Sequence, residues 1–153
     1  MIDSKQHHIV IAADASGNSL RAVAYVGEIL GQMPGFKITL LNVIHAPDED
    51  FFPSERERDR WIKAGRVNIS GQMSHYRDLL IACGCHPDRV HILIVERDGP
   101  SLAHLILTEL TRLDAGTVVV GRQGLSRKEE FLFGSVSRQI VSHFRDGAVW
   151  VVQ

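Results

Sequence analysis

The stretch Thr117-Val-Val-Val-Gly-Arg-Gln-Gly124, followed after nine residues by Gly134-Ser135-Val136, decides how the rest of the chain reads. Thr117 and the three valines are all β-branched, and no polar residue alternates with them, the mark of a strand buried on both faces. Gly121 and Gly124 end that strand. Val136, Ile140 and Phe144 then recur at four-residue steps, a helical spacing that opens at Gly134–Val136. Strand, glycine turn and helix make half of a parallel crossover unit. The unit closes on Ala148–Val152 (AVWVV), a fifth strand that stops one residue short of the last.

Moving toward the N-terminus, the same alternation repeats. Asp98-Gly99-Pro100-Ser101 opens a helix carrying Leu102, Ile106, Leu110 and Leu113, with Gly116 as its expected exit. Val90–Val95 (VHILIV) is a third strand. Before it, Ser54 caps a long helix whose first turn holds Glu55 and Glu57, and whose stripe is Ile62, Ile69, Met73, Tyr76, Leu80 and Cys83. The charged run Glu55–Arg60 reads as its solvated start, and Gly84 and Pro87 end it. Lys37–Val43 (KITLLNV) is the second strand, and Ser19 to about Gly31 a helix with Leu20, Val23, Ala24, Gly27 and Leu30 at helical spacing. His8–Ala13 (HIVIAA) is the first strand. Five strands alternating with helices predict an open, five-stranded parallel α/β sheet with helices on both faces.

Composition agrees with this reading. The chain has 153 residues, 44% hydrophobic and 23% charged, which suits one globular domain spanning 1–153. A formal net charge of −1 gives no electrostatic pull toward nucleic acid or an anionic membrane. The first eight residues lack a signal-peptide core, and no apolar run approaches the roughly 20 residues that span a bilayer. Two cysteines, Cys83 and Cys85, are too few for a disulfide scaffold, so the expected compartment is reducing and cytoplasmic. Cys83-Gly-Cys-His86 has no second ligand pair at a zinc spacing, so two structural thiols and a loop histidine are expected there.

In a doubly wound sheet, ligands sit beyond the carboxyl ends of the strands, where the strand order reverses. Two loops qualify. After the first strand comes Asp14-Ala-Ser-Gly-Asn-Ser19, a carboxylate followed by small polar residues that lead into a helix. After the fourth comes the glycine turn at 121–124 and the helix start at Gly134, Ser135 and Val136. Glycines let a backbone approach a ligand closely, and turn amides with a helix N-terminus form an oligophosphate cradle. Arg122, Arg127 and Lys128 lie in the same loop. Taken singly, each glycine reads first as a turn former, whereas Asp14 reads first as a ligand residue, with Ser16, Asn18 and Ser19 competing for the cap. Neither the dinucleotide Gly-x-Gly-x-x-Gly nor the P-loop Gly-x-x-x-x-Gly-Lys-Ser/Thr is present. The eight histidines form no i, i+4 metal pair, and no Gly-x-Ser-x-Gly surrounds any serine, so no catalytic residue is assigned.

Gly121-x-x-Gly124, nine residues, Gly134-Ser135, placed after the fourth strand of five, resembles the nucleotide-binding signature of the universal stress protein family. The resemblance covers nearly the whole chain, Asp14, the Gly99-Pro100 helix opening and the terminal strand included. Gly147-Ala148 departs from the Lys/Arg-Pro that often introduces that strand. The resemblance implies strand order 3-2-1-4-5 and an adenine nucleotide alpha hydrolase-like fold with a pocket between strands one and four. It implies ATP as ligand, with Ala12 and Val43 around adenine and ribose and Asp14 near ribose-phosphate or Mg²⁺. Val120 and Gly121 then close the end of strand four, and Gly124, Gly134, Ser135 and Val136 cradle phosphate. It also implies a nucleotide-dependent regulatory or stress-response homodimer paired through Ala148–Val152. An apolar edge strand without Lys or Pro points the same way, unless a helix or the Phe51-Phe52 loop covers it. A slow ATP hydrolase or autokinase in the same pocket is the second reading, disfavoured because no residue stands out as a base. A nucleotide-free interaction module is the third, and the intact glycine signature argues against it.

Overall fold

Strands β1 (His8–Ala12), β2 (Lys37–Ile44), β3 (Val90–Glu96), β4 (Thr117–Gly121) and β5 (Ala148–Val152) alternate with helices α1 (Gly17–Leu30), α2 (Glu55–Ala82), α3 (Leu102–Arg112) and α4 (Ser135–His143). This is a computed structural model, and it describes residues 5–14, 17–121 and 135–153. Every strand pair is parallel and the order is β3-β2-β1-β4-β5, the predicted architecture. Alternate residues feed opposite layers. Ile9, Ile11, Ile38, Leu40 and Val119 meet α1 and α2, whereas Val10, Leu41, Val43, Val118 and Val120 meet α3 and α4.

The helices follow their caps. Ser54 Oγ accepts the Glu57 amide at 3.2 Å, and Ser101 Oγ accepts the His104 amide at 3.1 Å. Ile62, Ile69, Met73, Tyr76 and Leu80 are buried along α2 as their spacing predicts, and Gly84 leaves the helix at φ 112. The exit of α3 differs from expectation. Asp114, not Gly116, takes the left-handed conformation, at φ 50. Gly116 instead makes room for the backbone at Lys5, against which a Cβ would collide.

Two other details of the sequence reading shift. On α1 the buried face is Ser19, Ala22, Val23, Val26 and Leu30, and Leu20 is 39% exposed because it lies at the outer margin of that face. On α2 the run Glu55–Arg60 is not uniformly solvated. Arg58 sits four residues before Ile62, so it continues the buried stripe past the end of the sheet, with its side chain only 16% exposed. Its guanidinium reaches Asp98 at 3.5 Å.

That pair belongs to a charged clasp at the carboxyl end of β3. Glu96 lies 3.9 Å from Arg66 of α2, Arg97 lies 3.0 Å from the buried Glu109 of α3, and Asp98 meets Arg58. Three consecutive residues thus tie both layers to one strand end. At the opposite end of the sheet, buried His8 bridges layers through Leu113 O at 2.9 Å and Thr39 Oγ1 at 2.8 Å. Burial lowers the His8 pKa below its ordinary value, the carbonyl of Leu113 opposing and Lys37 reinforcing the shift.

Candidate functional site

The neighbours of β1 set the geometry. Ala12 is aligned with Leu41 of β2 on one side and with Val120 of β4 on the other. From β1 the chain builds outward to β2 and β3, then crosses back to β4 and β5, so the direction of winding reverses between β1 and β4. A crevice opens beyond the strand ends at such a point. Near these strand ends Ala12, Val43 and Val120 share one apolar cluster with Val136 and Ile140 of α4. Val43 and Val120 are buried and Ala12 partly so.

Asp14 stands two residues past Ala12 and is half-buried. Ser19 holds it from α1. The serine hydroxyl accepts the Asp14 amide at 2.8 Å and donates to Asp14 Oδ1 at 2.9 Å. Ser19, one of the small polar residues after the strand, thus bonds the β1 tip. Two further bonds reach the same tip from residues that the sequence reading did not single out for the site. Asn42 Nδ2 donates to Ala13 O at 2.8 Å, and the Tyr76 hydroxyl donates to Asp14 O at 2.9 Å. Burial raises the Tyr76 pKa, a hydrogen bond with Gln72 opposes this and the Asp14 carboxylate adds to it, so the phenol stays a donor at neutral pH. The signals were a polar side chain between Leu41 and Val43 and a hydroxyl on an otherwise apolar helical stripe.

On the β4 side, Gly121 ends the strand opposite Val152 of β5. Ser135 is exposed at the first position of α4 and Val136 is partly buried on the α4 face that meets the sheet. Among the described residues no acidic side chain stands in the first turn of α4, where the helix dipole is positive. The structure thus groups Ala12, Val43, Val120 and Val136 in one layer, with Asp14 and Gly121 at adjacent strand ends. Gly124 and Gly134 lie outside the described residues, as do Arg122, Arg127 and Lys128.

Elsewhere the candidates separate. A cavity of about 230 Å³ lies at the amino-terminal end of the sheet, lined by Leu30, Met33, Phe36, Cys85, His86 and Arg89 among others. Cys83 caps α2, and burial raises the Cys85 thiol above its ordinary pKa, with Cys83 adding to the shift. His86 Nδ1 accepts the Asp88 amide at 3.1 Å. Among the described residues no group of three His, Cys, Asp or Glu side chains is placed to hold a metal ion, and no helix is long and apolar enough to cross a membrane.

Comparison with known proteins follows the same lines. The model of the Universal stress protein family matches residues 6–153. Universal stress protein UspA from Lactobacillus plantarum superimposes with a TM-score of 0.79 at 16% identity, covering 99% of this chain and 100% of that one. A universal stress protein solved in complex with cAMP gives 0.68 at 23% identity, covering 97% and 98%. One from Archaeoglobus fulgidus, in complex with dAMP, gives 0.61 at 14% identity, covering 95% and 96%. No curated protein sequence matches the chain.

Proposed function

The chain belongs to the universal stress protein family, and from that premise we propose that it binds an adenine nucleotide, ATP foremost, in the crevice between β1 and β4. The observation that carries this reading is the pair of adjacent strand ends at the winding reversal, Asp14 beyond β1 and Gly121 ending β4, near the apolar cluster of Ala12, Val43 and Val120. The apolar cluster suits a purine, and Asp14 suits a ribose hydroxyl or a Mg²⁺ ion on the phosphates. The glycine signature through Gly124 and Gly134, with the amides of Ser135 and Val136, suits the phosphate chain. Relatives solved with cAMP and dAMP support the choice of adenine.

The role we assign is regulatory: a one-domain, cytoplasmic stress-response protein whose occupancy changes dimer state or partner choice. Turnover is the lesser reading, because phosphoryl transfer to water needs a group that orients the nucleophile, and neither the sequence nor the β1 tip offers one.

Acid release and chromatography of freshly purified protein should yield an adenine nucleotide. Titration calorimetry on stripped protein should give a micromolar Kd for ATP, on the order of −8 kcal/mol. Asp14→Ala should weaken ATP more in Mg²⁺ than in EDTA. Protein verified as nucleotide-free that takes up no adenine nucleotide would refute the proposal, and steady phosphate release with excess ATP would favour the hydrolase.

A further inference from the structure

We propose that Tyr76 and Asn42 are positioning residues for Asp14, a role that rests on the nucleotide reading and adds to it the parts of the fold that hold the site. The strand ladder of β1 ends at Ala12, and Ala13 N–H still bonds Leu41 O at 2.9 Å. Beyond that point side chains bond the carbonyls of Ala13 and Asp14. Asn42 supplies a donor to the first from β2, and Tyr76 supplies a donor to the second from α2. Ser19 then engages the Asp14 amide and carboxylate from α1. Three elements converge on two residues.

Packing alone does not require these polar groups. Tyr76 is fully buried in a stripe of Ile69, Met73 and Leu80, where phenylalanine would fill nearly the same volume. Its hydroxyl is directed to Asp14 O, 62 residues away in the chain. Asn42 stands between Leu41 and Val43, and its amide spans to Ala13 rather than to solvent. A strand tip without such bonds would relax, and a relaxed tip moves the Asp14 carboxylate, whose placement a ligand senses at the level of a few tenths of an ångström. The bonds act on backbone atoms, so Tyr76 and Asn42 shape the site without touching the nucleotide.

The test uses the full-length chain as Tyr76→Phe and Asn42→Ala, with Tyr25→Phe as the same chemical change at a position 44% exposed. ATP affinity is measured by calorimetry in Mg²⁺, and amide exchange over residues 13–19 is followed in the ligand-free protein. Tyr76→Phe should raise Kd about tenfold and speed exchange of the Asp14 amide by a similar factor, with Tyr25→Phe doing neither. In an Asp14→Ala background, Tyr76→Phe should change affinity less than about twofold, because its effect runs through Asp14. A full tenfold loss in that background, or wild-type affinity in the single variant, would overturn the positioning role. Should Tyr76→Phe fail to fold, Asn42→Ala carries the same expectations from a different element. Wild-type protein that binds no adenine nucleotide would defeat the nucleotide reading by itself. The exchange measurement then stands alone, and unchanged exchange in both variants would defeat the clamp as well.

Discussion

His8 shows how one residue ties stability to pH. It is buried, it joins β1 to β2 and to the α3 exit, and burial holds its pKa below the ordinary 6.5. The groups facing it are Thr39, Lys37, His91, Asp114 and the carbonyl of Leu113, and burial outweighs the two that favour the cation. In the unfolded chain the imidazole takes up its proton as pH falls through about 6.5; in the folded chain it does so only at lower pH. The unfolded state therefore binds more protons in that window, and folding loses stability as pH drops from about 7 toward 5. His8→Asn should lower stability at pH 7.5 by about 1–3 kcal/mol, from lost or strained hydrogen bonds. It should also flatten the fall between pH 7 and 5, read as the urea midpoint at each pH. An unflattened pH profile in the variant would assign the acid sensitivity to the carboxylates instead.

At the scale of elements, the contact between α1 and α2 turns on glycine. Gly31 leaves α1 against the backbone of Cys83 at the end of α2, where a Cβ would collide with the Cys83 carbonyl. Backbone does not swing aside, so Gly31→Ala should cost about 1–3 kcal/mol. Gly65 and Gly71, in the same long helix, have open space where a Cβ would go. Replacing either with alanine should stabilise by about 1 kcal/mol through helix propensity. Thermal unfolding of the three variants checks both signs at once. The elements were legible in sequence because apolar runs, caps and breakers coincide along this chain, and the stripe from Ile62 to Leu80 survives intact. What escaped was set by neighbours distant in sequence. Asp114 replaces Gly116 at the α3 exit because the Lys5 backbone claims the space beside Gly116. Arg58, half-buried on α2, pairs with Asp98, which follows the end of β3 and is 40 residues away in the chain. Ala12, Val43 and Val120 came from the family resemblance, and the structure groups them in one apolar layer, whereas Asn42 and Tyr76 depend on contacts at the β1 tip that no local pattern in sequence announces.

For the whole molecule, the sheet ends at the β5 edge. Only β4 pairs with β5 among the described strands, and Val151 is 40% exposed on it. The aromatic pair Phe51 and Phe52 does not cover this edge; Phe52 stacks near Trp61 of α2, with ring centroids 6.0 Å apart. Trp150 is anchored inward, edge-on to Tyr25 of α1 at 6.2 Å. The amide of Ala148 donates to Gly116 O at 2.9 Å, so amides 148, 150 and 152 face β4. Those of 149 and 151 therefore face outward, because backbone groups alternate along a strand. An exposed apolar edge with outward donors, free of Lys and Pro, is a template for another strand. We propose that a second copy supplies that strand with two-fold symmetry, β5 against β5 antiparallel. Val151→Pro removes an outward donor and leaves every β4 bond in place, so it should split the dimer without unfolding the chain. Lys63→Ala, on the exposed face of α2, should not. Light scattering at tens of micromolar should give about twice the 17.0 kDa chain mass for wild type and for Lys63→Ala, and the chain mass for Val151→Pro. A wild-type mass of one chain would mean that the edge is closed within the protomer.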